Sequence, residues 1–356
     1  MTLASGVPRV RLTVADARTL SEAVLAANGY DPAEAVAIAD HVVDAALCGY
    51  EYSGLPKILN VLEKAKATRP RQPIVPIHET PVSTLLDGGN NTGMLALRRA
   101  TDVAIEKAQA LGIAVVGMTN TWTSGRGAYY VERIARAGFI GLHTVSSARH
   151  VAPFGGAQKM LGTNPVSFGF PTGGDPLVID FGTAAFMSSE LSLFERLDRP
   201  LPEGVAIDPQ GHPTTDPHAA RAGALLPYGG HKGYALALAV QALGVFAGSG
   251  FTADKDYGYF FLAMRPDLLI PNHTFESHLR EEVDRIRATP PLDDAEPVRI
   301  PSERAAQQRV RHLREGLVID RLVFDALARL APLCQVTCTP EVPTSPSPSL
   351  PESLHV

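Results

Sequence analysis

The alternation of short apolar runs with amphipathic segments between residues 71 and 182 restricts the fold more than any other feature of this chain. "RQPIVPIHETPVSTLLDGG" reads as strand and turn, "LRRATDVAIEKAQALG" as helix, and "IAVVGMTN" as a buried strand. "AYYVERIARAG" returns to helical spacing, and "FIGLHTVSS", "NPVSFGFPT" and "PLVIDFG" supply three further strands. Elements that alternate in this way bury their apolar faces as an α/β layer structure.

The flanking regions are different. Residues 15 to 48 read as helical, and within them Asp31, Pro32 and Glu34 form a capping-box pattern before Val36, Ile38, Val42, Val43 and Ala46. "YGGHKGYALALAVQALGVFAGSG" reads as a glycine-rich turn feeding a long apolar helix, expected to be buried. A last helix is expected around "IDRLVFDALARLAP", and the Pro/Ser-rich end is expected to be disordered.

At 356 residues the chain is long enough for two lobes. Its formal charge of −5, without a basic block, argues against a nucleic-acid partner. No apolar run reaches membrane-spanning length, and the first twenty residues lack a signal-peptide pattern. The three cysteines fit neither a disulfide framework nor a zinc site, which makes the cytoplasm the default location. The eleven histidines are scattered, so no metal site is expected.

The segment "GYEYSGLPK" (49–57) begins where a helix would stop and sets Ser53 beside a glycine, with Lys57 four places on. It lacks the G-x-S-x-G elbow of a hydrolase, and a polar turn is the plain alternative. "VIDFGTAA" brings Asp180 to a strand end before Gly182 and Thr183, where α/β proteins hold ligands; capping of the next helix is the alternative. "GGHKG" sets His231 and Lys232 at a helix start suited to a phosphate, or leaves an ordinary exposed lysine. Neither a G-x-G-x-x-G fingerprint nor a G-x-x-x-x-G-K-[ST] loop is present.

"GTNP" (162–165), "VIDFGT" (178–183) and "LPYGGHKGYALAL" (226–238), in this order, resemble the malate/L-lactate dehydrogenase family of the second, non-Rossmann type. "DGGNNTGMLA", "GRGAYYVERIARAGFIG" and "SSARHVAPFGG" support the resemblance, which runs from about residue 10 to 331. It implies a mixed-sheet NAD(P)-binding domain with a mainly helical second lobe built from both chain ends, and a homodimer. The implied boundaries are 1–75 for the N-terminal helical part, 76–230 for the NAD(P)-binding domain, 231–332 for the completion of the helical lobe, and 333–356 for the tail.

The resemblance also implies hydride transfer between NADH or NADPH and a 2-oxo acid, 2-hydroxy acid or cyclic imino acid. Cofactor contacts carried over by motif fall on Ser147, Asp180, Phe181, Gly182, Thr183, His231, Lys232, Ser302 and Glu303. The family pattern G-H-D-S-H-G-x-x-R, with a histidine acid/base and an arginine for the substrate carboxylate, aligns that histidine with Ser53 and the arginine with Lys57. A second family histidine aligns with Thr123.

Serine cannot replace imidazole as a proton donor unaided, and lysine holds a carboxylate as a point charge without a bidentate fork. Tyr52, His231, Lys57 or water on Ser53 are the candidate donors, and Arg126 is a second candidate for an anion contact. An already protonated iminium needs no donor at nitrogen, which favours imines over ketones. A catalytically repurposed nucleotide-binding homologue, or non-redox chemistry on the same scaffold, is the alternative.

Overall fold

The computed structural model describes residues 8–250, 252, 255–292 and 297–341. Its contacts divide the chain into two compact units, one of residues up to 63 with those from 304 onward, the other of residues 64–303.

The first unit opens with β1 (Arg9–Leu12), α1 (Val14–Ala27), α2 (Pro32–Leu47) and the short α3 (Pro56–Leu62). The long helical reading over 15–48 is broken at Asn28–Asp31, where the chain starts a second helix. Asp31 accepts the Glu34 backbone N–H at 2.9 Å and the Glu34 carboxylate accepts the Asp31 N–H at 3.1 Å, so the capping box is complete. After α2, Gly49 takes a left-handed turn at φ +81° into the "GYEYSGLPK" segment.

The second unit carries β2 (Val75–Glu79), β3 (Ser83–Asp87), α4 (Gly93–Leu111), β4 (Ile113–Thr119), α5 (Ala128–Arg136) and β5 (Ile140–Ser146). It continues through β6 (Val166–Phe170), β7 (Leu177–Phe181), α6 (Ser188–Arg196), β8 (Ala206–Ile207), α7 (Pro217–Ala222) and β9 (Ala224–Leu225). Helix α8 (His231–Phe246), strand β10 (Gly258–Met264) and helix α9 (Asn272–Arg287) complete it. Seven strands form one sheet in the order β2-β3-β4-β10-β5-β6-β7, with β3 and β4 parallel and the other neighbours antiparallel. The centre of this sheet is dry: Val116, Met118, Tyr259 and Phe261 are buried on β4 and β10.

Residues 231–303, expected with the helical lobe, belong instead to this sheet-bearing unit. Strand β10, bonded on both sides, lies between β4 and β5, and α8 packs on it. The expectation of a buried α8 is likewise corrected. Gly233, Ala237, Val240 and Gly244 face the sheet, whereas Leu238, Val245 and Phe246 are 52%, 59% and 69% exposed in the single chain. Gly244 permits the close approach, because a Cβ there would collide with Ser146 Oγ.

The first unit resumes at residue 304, within α10 (Glu303–Glu315), and continues through β11 (Leu317–Asp320), α11 (Arg321–Leu330) and β12 (Thr339–Pro340); β11 and β12 flank β1 in a three-stranded sheet. The tail expected to be disordered is therefore in part a strand. Glu341 adds a backbone bond to Arg9 and an ion pair with Arg11 at 2.8 Å; residues 342–356 lie outside the described ones.

Candidate active site

The cofactor-side residues named from sequence all fall within the second unit, and a network of backbone bonds ties most of them together. Asn164 of "GTNP", fully buried with φ +36°, is its hub. Its side-chain oxygen accepts the Ser147 N–H at 3.1 Å, and its amide donates to the Ala237 carbonyl of α8 at 3.0 Å. The neighbouring Thr163 carbonyl accepts both the N–H and the hydroxyl of Thr183, at 2.9 and 3.1 Å. Thr183 in turn accepts the Tyr228 N–H, which fixes the glycine turn into α8. Ser147, Gly182, Thr183 and the start of α8 are thus linked, although they are far apart in sequence.

His231 and Lys232 stand exposed at the first turn of α8, whose N-terminus has no side-chain cap. The edge of the Phe154 ring meets the His231 imidazole at 6.1 Å between centroids. Ser302, at φ +68°, donates its hydroxyl to the Val178 carbonyl of β7 at 2.7 Å. Glu303 pairs with Arg287 at 2.8 Å and accepts the Ile300 N–H. Phe181 ends β7 half-buried.

Asp180 does cap a helix, but an earlier one than the local pattern suggests. Its carboxylate accepts the Ala128 N–H of α5 at 2.9 Å and the Ser167 hydroxyl of β6 at 2.7 Å. The carboxylate therefore sits at the positive end of α5 and holds the loop before it. Gly127 is required at that junction, since a Cβ would collide with Ser167 Oγ and come within 3.0 Å of the carboxylate.

That loop, at the carboxyl end of β4, contains Thr123 and Arg126, both buried. Asn120, Thr123 and Gly125 all adopt positive φ, at +51°, +58° and +74°. For a β-branched threonine this conformation is strained. The Thr123 hydroxyl accepts from Lys64 Nζ at 2.7 Å, and Lys64 also reaches the Tyr257 hydroxyl at 3.3 Å. The Lys64 ammonium lies 5.9 Å from the Trp122 ring centroid and 5.6 Å from that of Tyr257. Half-buried His150 is held neutral, its pKa pushed down to about 4 by burial and by the cations Arg221, Lys64 and Lys159. Sequence reasoning did not name Lys64, Tyr257 or His150; the single tryptophan beside Thr123 was the available signal.

Ser53, Tyr52 and Lys57 belong to the first unit. Ser53 closes a 3-10 turn (Glu51–Ser53) and is buried; the Tyr52 ring meets Tyr50 edge-on at 6.4 Å; Lys57, on α3, is also buried. Among the described residues no group of three or more His, Cys, Asp or Glu could hold a metal ion, and no helix is long and apolar enough to cross a membrane.

The second unit's mixed sheet, with an exposed helix N-terminus and cationic side chains at its edge, suits a dinucleotide's pyrophosphate without the usual fingerprint loop. Such a sheet, with one parallel pair among antiparallel neighbours, is not the doubly wound dinucleotide fold. The chain belongs to the malate/L-lactate dehydrogenase family, whose model matches residues 12–328. As a member it is an NAD(P)-dependent oxidoreductase that transfers hydride on small carboxylated substrates.

It is 31% identical to the L-sulfolactate dehydrogenase of Methanocaldococcus jannaschii over 320 residues, covering 86% of this chain and 92% of the relative. It is equally 31% identical to the Delta(1)-pyrroline-2-carboxylate/Delta(1)-piperideine-2-carboxylate reductase of Pseudomonas aeruginosa, covering 90% and 99%. A solved dehydrogenase structure from Sinorhizobium meliloti superposes with a TM-score of 0.82 at 31% identity, covering 91% of this chain and 98% of that one.

Proposed function

We propose that this protein is a reductase that uses NADH or NADPH to reduce a small carboxylated substrate at a C=N or C=O carbon, with cyclic imino acids favoured over 2-oxo acids. The observation that carries the reading is a contrast. The cofactor-side scaffold around Asn164, Thr183 and Asp180 is fully bonded, while serine and threonine stand at the two positions where the family pattern has histidine. An iminium carbon accepts hydride and leaves a neutral amine, so a site without imidazole handles it more readily than a ketone that becomes an alkoxide.

In this reading the nicotinamide supplies the hydride, and the chain's own residues bind and orient. Ser147, Phe181, Gly182, Thr183, His231, Lys232, Ser302 and Glu303 hold the cofactor. Asp180 fixes the loop that faces it. Lys57 holds the substrate carboxylate, Ser53 and Tyr52 carry a proton or a bridging water, and Arg126 and Thr123 line the substrate side. The exposed apolar face of α8 supports a homodimer, and three free cysteines support a cytoplasmic location.

The test is a titration of the purified protein with NADH and NADPH, followed by nicotinamide fluorescence. Micromolar binding of one form, and then loss of nicotinamide absorbance with cyclic imino acids, is the expected result. Binding without turnover across imino and 2-oxo acids would point to a repurposed nucleotide-binding homologue. No binding by the folded protein would overturn the reading.

A further inference from the structure

Two lysines stand two residues apart at the start of the second unit, and their surroundings differ in kind. Lys66 is neutralised by the Asp256 carboxylate. Lys64 has no carboxylate partner among the described residues; its neighbours are two neutral hydroxyls, on Thr123 and Tyr257, and two aromatic faces, those of Trp122 and Tyr257. An ammonium group has three N–H donors, and the two hydroxyls accept two of them. The third has no acceptor among the described residues.

We propose that Lys64, fixed by Thr123 and Tyr257, is an anion receptor on the α/β unit that takes the carboxylate of a small organic acid. This deepens the functional reading above, rests on it for the identity of the acid as substrate, and assigns to Lys64 the carboxylate contact given there to Lys57.

Three observations support the assignment. Thr123 is buried and held at φ +58°, a strained conformation for a β-branched residue, and in that conformation its hydroxyl meets Lys64 at 2.7 Å. The loop that carries it leaves the carboxyl end of β4, where open α/β sheets hold ligands, and its far end is anchored by Asp180. Lys64 is also near enough to His150 to help hold that imidazole neutral, after burial and Arg221.

The chemistry favours a carboxylate over a phosphate. Lys64 brings one positive charge, which one carboxylate balances, while the rings of Trp122 and Tyr257 offer flat apolar walls to a planar group. A phosphate dianion at the same place would leave a second charge poorly compensated.

The test is calorimetric titration of the full chain with pyrrole-2-carboxylate and oxamate, each with and without NADH or NADPH, and with pyrrole-2-carboxamide and inorganic phosphate as controls. Lys64→Met is expected to weaken both carboxylates at least about tenfold, the loss of one charge-assisted hydrogen bond. It should leave the amide and the nicotinamide nucleotide unaffected. Lys64→Arg keeps the charge and should retain most of the binding, which guards against a folding defect in the methionine variant.

Carboxylate binding by Lys64→Met within twofold of wild type would overturn the proposal. So would a wild-type protein that binds nicotinamide nucleotide but none of the carboxylates. Phosphate bound more tightly than either acid, and lost in Lys64→Met, would reassign the receptor to a phosphate group. Failure to bind the nucleotide would sink the reductase reading alone, since the carboxylate titrations without nucleotide still decide the role of Lys64.

Discussion

Replacing Asp180 with alanine tests whether the carboxylate holds the loop before α5. The substitution removes the acceptor for the Ala128 N–H and for the Ser167 hydroxyl, and Ser167 is buried. Loss of a helix cap costs about 1 kcal/mol, and a buried hydroxyl left without its partner adds roughly 1–3 kcal/mol. Asp180 is half-buried, so water takes up part of the loss, and a net cost of about 2–3 kcal/mol follows for the second unit. For a body of this size each kcal/mol lowers the melting temperature by roughly 2–4 °C, so Asp180→Ala should melt roughly 5–10 °C lower.

Asp180→Asn is the control. Its side-chain oxygen can still accept the Ala128 N–H and its amide can donate to Ser167, so it should lose about 1 kcal/mol or less. Scanning calorimetry of the three proteins makes the comparison. If Asp180→Ala melts within about 1 °C of wild type, the carboxylate does not anchor the loop, and Asp180 must be explained by ligand contact alone.

The buried histidines set a pH dependence. Fully buried His143 has its pKa pushed down to about 3 by desolvation, and His150 is down at about 4, whereas the unfolded imidazoles titrate near about 6.5. The unfolded chain therefore binds more protons in the window between the folded and unfolded values, and stability is complete above it and lost as pH falls through it. Glu190 opposes this, because burial raises its carboxyl to about 7 and its contribution is lost as pH rises toward that value. With two groups against one, melting temperature should rise from pH 5 to pH 6.5, and Glu190→Gln should steepen the rise; a flat profile would show that the imidazoles are hydrated. For the proposed homodimer through the α8 face, Leu238→Glu with Phe246→Glu should lower the sedimentation coefficient to that of a monomer, and an unchanged coefficient would refute that interface.

Most of the sheet was legible because β3 through β7 carry local signals: β-branched runs, strand-length spacing and punctuating glycines. Strand β10 was not among the strands read, since "YGYFFLAM" lacks alternation; it is buried on both faces, and its neighbours β4 and β5 are more than a hundred residues away. The same distance hid the side-chain logic of the site. Asp180 caps a helix 52 residues earlier, and Lys64 meets Thr123 and Tyr257 across 59 and 193 residues. Capping rules and motif spacings look only a few positions along the chain, so they pointed to Asp180 without its partners, and Thr123 was named only through the family resemblance. Helix α8 misled for another reason: its exposed side is as apolar as its packed side, so composition alone reads as full burial.

Thr123 allows stability and binding to be separated in one substitution. A β-branched residue at φ +58° costs about 1–2 kcal/mol, while asparagine tolerates the left-handed region and is close to threonine in volume. Relief of that strain and loss of a hydrogen bond to a charged group, worth about 1.5–3 kcal/mol, largely offset each other, so Thr123→Asn should melt within roughly 2–4 °C of wild type. The same change takes the hydroxyl away from Lys64 Nζ, now 2.7 Å distant, so the ammonium loses one of its two fixing bonds and carboxylate binding should weaken. A melting temperature nearly unchanged despite the lost bond, together with weakened pyrrole-2-carboxylate binding, is the signature of strain kept for a binding role. If Thr123→Asn melts lower and binds as well as wild type, the positive φ serves packing of the loop against Gly93, and Lys64 is positioned by Tyr257 alone.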